Sequence, residues 1–189
     1  EMNPNDLPDE RALQDEFTRE FLQSVEETRP GYYPFLSKTG KYKMDFPAGG
    51  IISQPAYEIR NRSFEYLDVN VSFPNNTAGS LMVMYYGGNN NERVDFHLDW
   101  FSGRLGKTIN FTELKEKHHT IYYSSFQRND FNYHVAYIQH LNESEGIELS
   151  YVIDCLNNDC SGNQAMTEKE FLEFLYSIEF INNYENVDE

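Results

Sequence analysis

Three consecutive segments, Thr120 to Phe126, Phe131 to His140 and Gly146 to Asp154, each read as a strand, and their spacing leaves few folds open. The connections between them are short and polar, Arg128-Asn129-Asp130 and Asn142-Glu143-Ser144-Glu145-Gly146. Parallel neighbours would need a crossover of about a dozen residues or more, so these strands must form antiparallel hairpins. Further strands precede them. Lys41 to Phe46 alternates polar and apolar residues and ends at Pro47 and Gly49-Gly50. Glu65 to Phe73 alternates again, with Leu67, Val69, Val71 and Phe73 on one face, and Pro74-Asn75-Asn76 supplies a turn. Leu81 to Tyr86 is apolar on both faces, as a central strand requires, and Gly87-Gly88-Asn89-Asn90-Asn91 follows as a loop.

Other segments change period. Leu13, Phe17, Phe21 and Val25 recur every four residues, with Leu22 beside them, and predict a helix from Asp6 to Thr28 that Pro30-Gly31 stops. Asp6 can cap it, and Pro8 sits in its first turn, where no N–H is needed. Val94, His97, Leu98, Phe101 and Leu105 predict a second helix, and Glu113 to Lys117 a helical turn. The last helix is marked by Thr167 and Glu170, a capping box, followed by Phe171, Phe174, Leu175 and Ile178 at i, i+3, i+4 and i+7. The reading is an α+β domain, an antiparallel sheet packed with N- and C-terminal helices. Its parts are an acidic tail and N-terminal helix over 1–31, a single α+β domain over 32–183 and an acidic tail over 184–189.

Charge and length exclude several functions. The net charge of −16 repels phosphate backbones and anionic headgroups, so neither nucleic acid nor a bare lipid surface is an expected partner. No apolar run reaches the ~20 residues that cross a bilayer. With 14 Tyr and 14 Phe, the chain has the apolar surface to fold. Glu1 to Asp6 read like the start of a mature, processed chain.

The candidate chemistry is sparse. No nucleophile elbow, phosphate loop, dinucleotide fingerprint, paired-histidine zinc helix or calcium loop is present, so no catalytic residue, metal or cofactor is assigned. Cys155 and Cys160 could close a short disulfide loop worth roughly 2 kcal/mol. Without two further ligands they do not complete a structural zinc site. Asp154, Asn157, Asn158 and Asp159 offer oxygens to a cation but lack the glycine that sharpens a calcium loop. His134 and His140 share one strand face about 20 Å apart, too far to share a substrate atom. His118 or His119 with His97 or Glu116 could form an acid–base pair if the fold joined them. Five Asn-x-Ser/Thr triplets, starting at Asn61, Asn70, Asn75, Asn110 and Asn142, would carry glycans only in a eukaryotic secreted chain.

The tyrosine doublets Tyr32-Tyr33, Tyr85-Tyr86 and Tyr122-Tyr123 place one ring on each face of a strand. Tyr33, Tyr86 and Tyr123 are the candidate binding residues of an outward platform for a peptide, a glycan or an envelope protein.

The segment Ser37-Lys38-Thr39-Gly40-Lys41-Tyr42-Lys43-Met44-Asp45-Phe46-Pro47 resembles the opening strand of PsbP-like domains. Residues Thr167 to Ile181 resemble their closing helix and short final strand. The acidic N-terminal segment and Tyr32-Tyr33-Pro34-Phe35 resemble exported lipoproteins of Gram-positive bacteria, which carry a lipidated cysteine just upstream. Together these resemblances imply a PsbP-like layered sandwich and a non-enzymatic binding or assembly module. It would sit outside the cell membrane, held there only through an upstream lipid. The alternatives are a hydrolase or nuclease-like enzyme built on a His–carboxylate pair, and a glycosylated eukaryotic secreted binding domain.

Overall fold

A computed structural model describes residues 7–87, 94–141, 144–155 and 166–181. The chain forms two antiparallel sheets. The small sheet has the order β1-β2-β11, from Tyr32–Leu36, Tyr42–Pro47 and Glu179–Phe180. The large sheet runs β3-β5-β6-β10-β9-β8-β7, with β4 also paired to β5. Its strands are β3 Gly50–Ile52, β4 Glu58–Arg60, β5 Phe64–Ser72, β6 Ala78–Tyr86, β7 Thr112–Lys115, β8 His119–Arg128, β9 Phe131–His140 and β10 Gly146–Asp154. Strands β8, β9 and β10 pair as the short connections demand, with Asn129 taking the left-handed conformation in the β8–β9 turn. The return of β10 beside β6 joins the two hairpin families into one sheet.

The strand Leu81 to Tyr86 is central, and its flanks explain why it is apolar on both faces. Leu81, Val83 and Tyr85 point into the main core with Leu67, Val69, Val71, Leu149 and Tyr151. The small sheet and helix α4 (Glu168–Tyr176) belong to that same core through Tyr42, Phe46, Phe171, Phe174 and Leu175. Met82 and Met84, both 8% exposed, face the other way. On that side helix α3 (Val94–Leu105) sets Phe101 against Val135 and Tyr137 in a second, smaller core.

The N-terminal segment departs from expectation. Instead of one helix it makes two single turns, α1 (Arg11–Gln14) and α2 (Glu16–Arg19). Asp15 between them is extended, and its carboxylate accepts a 2.8 Å hydrogen bond from the Thr18 N–H. That local bond competes with helix continuation. Long-range bonds then outweigh propensity. Ala12 N–H donates to the Ala48 carbonyl, Thr18 Oγ1 accepts from the Ile52 N–H, and Leu36 N–H donates to the Phe21 carbonyl. The expected stripe is buried at Leu13, Phe21 and Leu22, whereas Val25 is exposed. Ala12, Leu13, Phe21 and Leu22 belong to the same core as the sheet.

A second correction concerns Glu113 to Lys117. Thr112–Lys115 is a strand on the edge of the large sheet, paired to β8. Its mostly exposed, charged residues suit an edge that must not recruit another strand. The fold is therefore α+β but sheet-rich. Of the two terminal helices expected to pack the sheet, only the C-terminal one forms as a single helix, and the N-terminal segment reaches the same core through two short turns beside the small sheet.

Helix α4 starts with the capping box. Thr167 Oγ1 accepts from the Glu170 N–H at 3.2 Å, and Glu170 Oε2 accepts from the Thr167 N–H at 2.7 Å. Phe171, Phe174, Leu175 and Ile178 are each 0% exposed. Phe174→Ala or Leu175→Ala is expected to cost about 2–5 kcal/mol, through lost transfer energy and the cavity left behind. Thr167→Ala is expected to cost only about 1 kcal/mol. Urea unfolding of the three variants checks this, and near-parental stability in Leu175→Ala would contradict the docked helix.

Candidate ligand-binding site

One group of polar side chains inside the main core lies at one end of the large sheet. Glu65 has the same parity along β5 as Leu67, Val69 and Val71, so its side chain enters the core opposite Tyr85 on β6. Glu65 is 0% exposed, and its Oε1 accepts from the Lys38 N–H at 2.9 Å and from the Tyr57 hydroxyl at 3.0 Å. Burial pushes its carboxyl above the usual range, and those two donors oppose the shift. The Tyr42 ring stacks on Tyr85, with centroids 5.6 Å apart. Burial, and then the neighbouring Glu65 charge, drives the Tyr42 hydroxyl well up. The buried Tyr42 hydroxyl lies against the Glu65 carboxyl, and neither Tyr42 Oη nor Glu65 Oε2 has a further hydrogen-bond partner among the described residues.

Tyr85 links this interior to the surface. Its hydroxyl donates to Glu145 Oε1 at 2.7 Å, and Lys41 Nζ lies 3.6 Å from the same oxygen. Glu145, only 5% exposed, borders a cavity of about 340 Å3 lined by Lys41, Asn61, Arg62, Ser63, Tyr85 and Ser144. Three turns build it: the β1–β2 turn before Lys41, the β4–β5 turn, and the segment leading into β10. Asn61 and Arg62 both adopt left-handed backbone, at φ 44° and 58°, which is uncommon for residues with side chains. A Cβ at Gly40 would lie 3.6 Å from Arg62 Nη2, so the guanidinium folds back over the β1–β2 turn next to Lys41. Among the described residues Arg62 forms no ion pair. Two cations and one buried carboxylate thus meet at a pocket on a chain whose net charge is −16.

The histidines serve packing. His97 Nδ1 lies 2.5 Å from Glu148 Oε1, and the ring stacks on Tyr137 at 4.2 Å. With 0% and 2% exposure, this His–carboxylate pair is sealed between α3 and the sheet. His118 is exposed, and neither His118 nor His119 pairs with a carboxylate among the described residues. His119 stands opposite His140 across the β8–β9 ladder, and both rings neighbour Phe180. Burial lowers the His119 pKa, against the pull of Glu116. His134 and His140 do share a face, and that face is the core side. His134 Nδ1 is 2.7 Å from Ser125 Oγ, and burial pushes the imidazole down to about 4.

The tyrosine doublets split between faces as alternation requires, but not with the expected members outward. Tyr33 is 3% and Tyr123 8% exposed, so both pack inward. Tyr32 and Tyr122 are the more open members of those pairs, and Tyr86 is the more open member of its own. An outward platform of Tyr33, Tyr86 and Tyr123 is therefore not formed. Cys155 is buried, and its N–H donates to the Asp130 carbonyl. Cys160 lies outside the described residues, as do Asn157, Asn158 and Asp159 of the cation loop and Asn142 of the last triplet.

Sequence reading missed the pocket because its residues sit in turns. Glu145 lay in a polar connection, and Arg62 inside an Asn-x-Ser triplet. One signal was available: Glu65 is in phase with Leu67, Val69 and Val71, so a carboxylate had to enter the core.

Fold and site together define an α+β protein whose large antiparallel sheet carries a small mixed-charge pocket at one end. Residues 8–179 match the family described as "Putative lipoprotein YvcA", and the chain belongs to that family. A relative of the same description from Bacillus subtilis (strain 168) is 27% identical over 203 aligned positions, covering 96% of this chain and 81% of the relative. A crystal structure from Bacteroides thetaiotaomicron VPI-5482 aligns with a TM-score of 0.45 and 14% identity. That alignment covers 79% of this chain and 48% of the other, so the chain spans about half that protein's length.

Two outcomes follow from the buried histidines. His97→Ala leaves the Glu148 carboxyl buried without its ring partner and is expected to cost about 3–5 kcal/mol, whereas an apolar His97→Leu/Glu148→Met pair recovers most of it. Thermal melts compare the two. For His134 the native state resists protonation, so the unfolded chain binds more protons between pH 6.5 and about 4. Its contribution is fully present above pH 6.5 and is lost as pH falls toward 4, by about 3 kcal/mol in total. Urea titrations across that range should show a shallower acid loss in His134→Gln than in the parent. An unchanged slope would contradict it.

Proposed function

We propose that this chain is the extracytoplasmic part of a lipid-anchored cell-envelope protein that acts by binding or assembly and not by catalysis. The family match over residues 8–179 carries the reading. The relative named as a lipoprotein aligns along 81% of its length, which supports a shared location. The physical chemistry is consistent with that location. A surface of net charge −16 gains nothing from anionic headgroups, so attachment falls to a covalent lipid with a partner signal. The sealed His97–Glu148 pair supports the non-catalytic side, since no substrate atom reaches it. Metabolic labelling of the full-length gene product with radiolabelled palmitate tests the anchor. The expected result is label on the protein and recovery in the membrane fraction. Unlabelled protein in the cytosol would overturn the assignment.

The same compartment is oxidising enough to keep a disulfide. We propose that Cys155 and Cys160 are joined, and among the described residues there is no free cysteine. Alkylation of the native protein without reductant is expected to leave its mass unchanged. Uptake of an alkyl group on each cysteine would refute the bond.

A further inference from the structure

The pocket at the end of the large sheet combines features that a purely structural cluster does not need. Its floor is the carboxyl of Glu145, nearly buried, with Oε1 already engaged by Tyr85 and Lys41. Its second oxygen has no protein partner among the described residues. Its rim is the Arg62 guanidinium, without an ion pair among those residues and held beside Lys41. Arg62 sits at φ 58°, where glycine would be the unstrained choice. Asn61, Ser63 and Ser144 add neutral donors and acceptors between floor and rim. The cavity, about 340 Å3, is of small-ligand size.

Charge arithmetic narrows the occupant. Lys41 and Arg62 against Glu145 leave one positive charge, and Arg62 offers the fork geometry that takes a carboxylate in two parallel hydrogen bonds. A dianion such as phosphate would lie against the Glu145 carboxylate and be repelled by it. A ligand with a carboxylate and an ammonium a few ångströms apart meets both ends favourably. We infer that this pocket binds the zwitterionic head of a free α-amino acid, its carboxylate on Arg62 and Lys41 and its ammonium on Glu145. This deepens the binding-module reading and rests on it.

Isothermal titration calorimetry of the purified protein tests the inference. The probes are glycine, L-alanine, L-glutamine, L-lysine and L-phenylalanine, with acetate, methylamine and inorganic phosphate as half-ligands. At least one amino acid is expected to bind, and each half-ligand to bind at least about tenfold more weakly. Arg62→Gly removes the guanidinium while relaxing the left-handed backbone. It is expected to melt no lower than the parent and to lose about tenfold or more in affinity. Glu145→Gln keeps the shape and is expected to weaken amino-acid binding while leaving acetate binding unchanged or stronger. Absence of heat with every amino acid would overturn the inference, as would phosphate binding at least as tightly. Full affinity in Arg62→Gly would overturn it as well. None of these results touches the envelope location, which the palmitate experiment reads separately.

Discussion

The β6–β10 ladder buries both of its faces, and the layers of the fold follow from that. A strand pair in that position has no solvated side on which to place polar residues, so each face must be roofed. The small sheet and α4 roof one side through aromatic and aliphatic contacts. Helix α3 roofs the other, and there the ladder carries Glu148 between Met84 and Tyr137. A carboxyl group cannot be left unpartnered in such a place without a large desolvation cost. His97 meets it from α3, and this contact fixes the rotation of the helix on the sheet. The buried face of α3 is accordingly mixed, with His97 standing beside Phe101 where an all-apolar stripe would otherwise run.

The small sheet is tied down by a comparable device. Asp45 accepts from Thr28 Oγ1 and Arg29 Nε, each at 2.6 Å, and its own N–H donates to Ser177 Oγ. One residue of β2 thereby joins the chain entering β1 to the chain leaving α4. The stacked rings of Phe21, Phe35 and Phe46 fill the space beneath, so the N-terminal segment docks by rings as well as by backbone bonds. These contacts explain why a sequence with helical spacing settles into short turns: the neighbouring strands offer its backbone better-placed partners than helix continuation would.

Against that apolar architecture, the polar end of the main core stands apart. Glu65, Tyr57, Tyr42, Tyr85 and Glu145 run from beneath the β1–β2 turn to the pocket mouth, and the cations Lys41 and Arg62 meet them there. Other cavities of about 330–450 Å3 open on the surface, and what sets this one apart is its buried carboxylate facing two cations. This one is built from turns that a rigid sheet holds in position, which is how loops commonly carry function.

Local sequence signals were enough for most strands and for the closing helix. Alternation in Glu65 to Phe73, two-faced burial in Leu81 to Tyr86 and the Thr167–Glu170 capping box have physics that is complete within about ten residues. The parity of Glu65 even announced a buried carboxylate. Other features needed partners far along the chain. Whether Leu13 to Val25 stays helical depended on acceptors and donors at Ala48 and Ile52. Which ring of each tyrosine doublet faces inward depended on which side of each strand became core. The meeting of Lys41, Arg62 and Glu145 depended on three turns that the strand order β5-β6-β10 and the packing of the small sheet on it bring to one end of the large sheet, because each residue alone is an ordinary charge in a polar loop.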